Sequence, residues 1–120
     1  MSEQHDVAGL ESLPLDVELI EDSTETVLAM QMATSTRPSL DSKTPVVVGH
    51  LQLLLGEELG ADEDPEVRDL IVRSYRLLDL AARPREESPA FNVFFYNRDV
   101  ALLTRKLLWV YQERREAGGA

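Results

Sequence analysis

The 120-residue chain carries 22 Asp plus Glu against 12 Lys plus Arg, no Cys and a formal net charge of −10. Without Cys there can be no disulfide, thiolate metal ligand or thiol nucleophile, and no apolar run approaches the roughly 20 residues needed to span a bilayer. The negative field opposes general binding to nucleic acid or anionic lipid, and the length suits one domain around one core.

The chain begins MSEQHDVAGLESL, with neither a basic n-region nor an apolar h-region. It therefore reads as neither signal nor transit peptide, and a cytoplasmic location is expected. Residues 1–14 mix Ser, Gln, Gly and acids with few large apolar groups, so they read as a disordered acidic tail, leaving 15–120 as a single helical domain. Charge is unevenly placed: residues 1–64 hold 14 acids and two bases, residues 65–120 hold eight acids and ten bases.

From Asp16, the residues Val17, Ile20, Thr24, Val27, Leu28 and Gln31 or Met32 recur at helical spacing. The polar cluster Glu21 to Glu25 interrupts them, so this helix could start only at Ser23. Thr34 to Ser39 has the composition of a loop. Three longer helices are then announced by one device, an oxygen acceptor before a Pro: Thr44-Pro45, Asp64-Pro65 and Ser88-Pro89. The first is expected from Pro45 to about Leu59, with Gly60 as a left-handed terminator. The second is expected from Pro65 to about Ala82, with Val67, Leu70, Ile71, Leu78 and Ala81 on its inner face.

The third starts at Ser88-Pro89, or at Asn97 if Phe91 to Tyr96 is irregular or a short strand, and runs to about Glu116. Its apolar seam is Val93, Tyr96, Val100, Leu103, Leu107 and Val110. The expected fold class is all-α: an up-down helical bundle of three long helices plus a less certain N-terminal helix.

The run Gly49-His50-Leu51-Gln52-Leu53-Leu54, and the basic, aliphatic last helix with Tyr111 near its end, resemble a family of small helical actinobacterial proteins of unknown function. The resemblance covers residues 36–116. The aromatic segment Phe91 to Tyr96 departs from it, since small residues would be expected there. It implies no activity.

Candidate chemistry is sparse. His50 has no Glu-x-x-His or His-x-x-x-His partner, so it reads as a structural histidine rather than a ligand. Asp62-Glu63-Asp64-Pro65-Glu66 fails as a calcium loop, because Val67 stands where Gly is needed and Arg73 where Glu is needed. Ser42 in LDSKTPVVV only faintly resembles a phosphopantetheine site. Arg68, Arg73 and Arg76 on a helix after a turn suggest a DNA-recognition helix, but Glu58, Asp62, Glu63 and Asp64 in that turn would face phosphates. No catalytic, cofactor or metal residue is assigned.

The strongest signal is aromatic. Six of the seven aromatic residues follow position 90. Phe91, Phe95 and Trp109 lie partly off the buried seam, beside Arg98, Arg105 and Arg114, which is the composition of an interface core with a polar rim, unless the amino-terminal segment folds over it. The expectation is a non-catalytic protein-interaction or regulatory module that self-associates through Phe91, Phe95, Tyr96, Trp109, Tyr111, Arg98 and Arg105, without cofactor. One alternative is an acidic regulator, of the antitoxin or DNA-mimic type, binding a basic partner. Another is a small-ligand protein or enzyme with a cavity between helices near His50.

Overall fold

The computed structural model describes residues 15–119, so the acidic segment 1–14 lies outside the described residues. Those residues form four α-helices, α1 Val17–Ala29, α2 Arg37–Leu55, α3 Pro65–Leu78 and α4 Ala90–Gly119, with short 3-10 turns at Met32–Thr34 and Leu80–Ala82 and no strand. No described helix is long and apolar enough to cross a membrane.

Helix α1 starts at Val17, not Ser23. The Asp16 carboxylate accepts from the Leu19 amide at 3.1 Å, and Glu18 in the first turn favours the helix dipole. Ile20, Thr24 and Val27 are buried at spacings of four and three, which leaves Glu21, Asp22 and Glu25 on the wet face. The polar cluster therefore decorates the helix instead of breaking it.

Helix α2 corrects the expected start at Thr44-Pro45. It begins eight residues earlier, where the Thr36 hydroxyl accepts from the Ser39 amide at 3.2 Å and Pro38 sits in the first turn. Pro45 lies inside the helix. The carbonyl that its missing amide would have served belongs to Asp41, and both residues are exposed, so water can take the unmade bond. Thr44 does not act as a cap because it lies two turns inside the helix that Thr36 opens; its hydroxyl instead donates to Asn97 Oδ1 at 2.7 Å. The helix also stops at Leu55, short of Leu59; Gly60 does take the left-handed conformation, with φ 81°, but within the following loop.

Helix α3 starts as expected, with Asp64 accepting from the Glu66 amide. It ends at Leu78 instead of Ala82, because extended Asp79 turns its carboxylate onto the Ala81 amide while Arg83 Nε donates to the Leu78 carbonyl. Only Val67 and Ser74 of α3 are fully buried.

Helix α4 takes in the whole Phe91 to Tyr96 segment, so neither a strand nor a start at Asn97 occurs. Pro89 directly precedes it, but Ser88 turns backward: its hydroxyl accepts from the Arg85 amide at 2.8 Å. The Arg37 guanidinium donates to the Arg85 and Ser88 carbonyls, fastening this loop to the start of α2.

The other three helices pack against α4, α2 most extensively and α3 least. The core joins Ile20 and Val27 of α1, Val47, Leu51 and Leu54 of α2, and Val100, Leu103, Leu107 and Tyr111 of α4. The radius of gyration, 15.9 Å, exceeds the roughly 13 Å of a close-packed chain of about this size. Among the described residues, the other three helices leave one side of α4 uncovered.

Candidate interaction surface

The uncovered side follows from helix geometry. At 100° per residue, Phe91, Phe95, Arg98, Leu102, Arg105 and Trp109 fall within roughly 40° of one line down α4, about 27 Å long. Phe91 and Phe95 are each 52 % exposed and Trp109 is 62 % exposed. Burial of that much aromatic surface would be favourable, so its exposure among the described residues sets this face apart from the rest of the helix. The Phe94 ring meets Phe95 edge to face, with centroids 5.2 Å apart.

Arg98 and Arg105 are exposed along the same line. The ion pairs among the described residues are Arg37–Asp41, Arg73–Asp69 and Arg114 with Glu58 and Glu63, so neither Arg98 nor Arg105 belongs to one.

Five of the seven expected interface residues are thus brought onto one face. Tyr96 and Tyr111 are not: they are 6 % and 3 % exposed and belong to the core. The Tyr96 hydroxyl donates to the Leu77 carbonyl at 2.7 Å, and the Tyr111 hydroxyl accepts from the Leu15 amide at 3.2 Å. Burial raises the Tyr96 pKa, an effect that nearby Arg83 partly opposes. Both tyrosines act as clamps, one holding α3 and the other the start of the described chain.

Grooves flank the exposed line on both sides. Between α3 and α4 runs an open groove of about 750 Å³, floored by Val67, Leu70 and Val110 and edged by Arg73, Lys106 and Trp109. A second groove of about 550 Å³ shares Arg73 and Lys106 and extends toward Leu77 and Leu103. On the α1 side, Thr24, Arg105, Leu108 and Trp109 line a shallower cleft of about 160 Å³. Sequence reasoning missed these grooves. Only Val67 and Ser74 of α3 are fully buried, so its remaining apolar side chains line the gap and do not close it.

The His50 region has a different character. Its Nδ1 is buried without a hydrogen-bond partner, and burial lowers its pKa from 6.5, partly offset by the negative charge of Asp16. Neither these three grooves nor a fourth of about 370 Å³ between Leu59 and Trp109 includes His50. Among the described residues no group of three or more His, Asp and Glu could hold a metal ion.

The chain matches no protein-family model, no curated protein and no solved structure.

Proposed function

We propose that this protein is a non-catalytic helical interaction module that works by binding protein through the outer face of α4, a second copy of itself included. One observation carries the reading: Phe91, Phe95 and Trp109 are half or more exposed along a single line of α4, interleaved with Arg98 and Arg105. Aromatic and Arg side chains dominate the energetics of protein interfaces, and this face offers both in a continuous row. The helices are read as an up-down bundle, the arrangement that short loops between successive helices favour. The resemblance of residues 36–116 to small actinobacterial proteins carries no activity over, so the proposal stands on geometry.

Trp109 is the sole tryptophan and lies at the end of the row. Its emission is expected to be that of a wet indole in dilute solution and to shift blue as concentration rises, in step with an increase in sedimentation coefficient. An indole already buried in a strict monomer would end the self-association reading.

A second reading has its own observation. In α1, Glu18, Glu21, Asp22 and Glu25 are all exposed, and none joins an ion pair among the described residues. An acidic regulator would present this face to a basic partner. Such a complex weakens steeply as salt rises, whereas an aromatic interface does not.

A further inference from the structure

We infer that the outer face of α4 pairs with the same face of a second copy in antiparallel orientation, about a two-fold axis near position 100, placing Phe91 opposite the second copy's Trp109 and Phe95 opposite its Arg105. This rests on the reading of that face as an interface, and it adds the partner's orientation and register.

The argument begins with spacing. Phe91, Phe95, Arg98, Leu102, Arg105 and Trp109 follow one another at intervals of 4, 3, 4, 3 and 4. That series is the same read backward, so an antiparallel second copy presents a side chain at every level of the row. A two-fold axis is also the commonest symmetry of homodimers, because one patch serves both sides.

Charge then chooses the orientation. A parallel, in-register pair would set Arg98 against Arg98 and Arg105 against Arg105, two like-charge contacts along the row. In the antiparallel pair each Arg98 lies across from Leu102, where its methylene stem can cover apolar surface. Each Arg105 lies across from the ring of Phe95, a cation–π arrangement. Phe91 and Trp109 close both ends of the row with aromatic contacts. Glu113, the next residue of this face, falls beyond Ala90, where the second copy's α4 begins.

Shape supports the same pairing. Trp109 borders the open groove between α3 and α4, which leaves room beside it for the second copy's Phe91 at each end of the row.

Because the chain has no Cys, single substitutions give unique crosslinking sites. The Phe95→Cys and Arg105→Cys variants are prepared separately, mixed and oxidised, with sedimentation equilibrium run on the wild type. The antiparallel register predicts a disulfide in the mixture, joining one variant to the other, and none in either variant alone. Positions 95 and 95 are then ten residues, about 15 Å, apart along the axis, too far for a disulfide. Disulfides in each variant alone overturn the orientation while leaving self-association intact. A wild type monomeric at all concentrations overturns the interface reading itself.

A charge pair provides a check that does not depend on thiol chemistry. Phe95→Glu faces Arg105 in the antiparallel pair, whereas Phe95→Lys faces the same Arg105 with like charge. The Lys variant is expected to dimerise about tenfold more weakly than the Glu variant at low salt, with the gap closing as salt rises. Equal weakening by the two substitutions contradicts the register.

Discussion

Helix α4 has two faces built on one spacing. The inner row is Val93, Asn97, Val100, Thr104, Leu107 and Tyr111, none more than 3 % exposed. The outer row is the same pattern moved two residues toward the N-terminus, which is about 200° around the helix. The inner face buries two polar side chains among its aliphatic ones, and the outer face exposes three aromatic ones beside two Arg. The difference teaches that aliphatic content selects the buried face, while polar satisfaction decides which polar side chains it can include. Asn97 is affordable inside because its Nδ2 donates to the Leu40 carbonyl at 2.9 Å and its Oδ1 accepts from Thr44. Thr104 is satisfied by the Val100 carbonyl of its own helix.

The comparison breaks most directly at Leu107, which is fully buried. Leu107→Ala is expected to destabilise by about 2–5 kcal/mol in chemical denaturation, from lost transfer energy plus the residual cavity. Asn97→Ala comes next, at about 1–3 kcal/mol, because it removes two hydrogen bonds, a buried one to the Leu40 carbonyl and a part-buried one from the Thr44 hydroxyl, and leaves a cavity between α2 and α4. On the outer row, Phe95→Ser is expected to change the stability of the monomer by no more than about 0.5 kcal/mol. A Phe95→Ser loss as large as that of Asn97→Ala would mean that the outer face is core.

His50 sharpens the picture through pH. Its folded-state pKa lies below the unfolded 6.5, so the unfolded chain takes up the proton more readily. The contribution of neutral His50 is complete above about pH 6.5 and falls away as pH drops below it. His50→Gln should flatten that part of the stability profile, measured by denaturant midpoints between pH 7.5 and 5.

Much of this architecture is legible in the residues, and the exceptions have physical causes. Asp64-Pro65 marks a true helix start because nothing else competes for the Asp64 carboxylate. Thr44-Pro45 carries the same local chemistry and fails, since Thr36 and Pro38 provide an earlier start, while the Thr44 hydroxyl is taken by Asn97, 53 positions away. Local signals cannot report such a distant partner. The end of α3 was hidden for a related reason: Asp79 within an apolar period looks like a surface residue until its carboxylate is seen capping Ala81.

Of the interface residues, Phe91, Phe95, Arg98, Arg105 and Trp109 are readable from periodicity. Tyr96 belongs to the seam that periodicity already marks as buried, so assigning it to the interface goes against that pattern; Tyr111 is held inward by the Leu15 amide, a partner far away in the chain. The groove beside α3 is a gap between helices, and one-dimensional patterning does not encode how far apart two helices sit.

The central claim is that the outer row of α4 exists for binding and not for folding. Wild type and a Phe91→Ser/Phe95→Ser double variant, compared by sedimentation velocity over a concentration series with parallel thermal melts of dilute samples, test it most directly. The account predicts that the wild type associates as concentration rises, while the double variant stays monomeric and melts within a few degrees of the wild type. A double variant that associates like the wild type, or that unfolds as Leu107→Ala does, would contradict it.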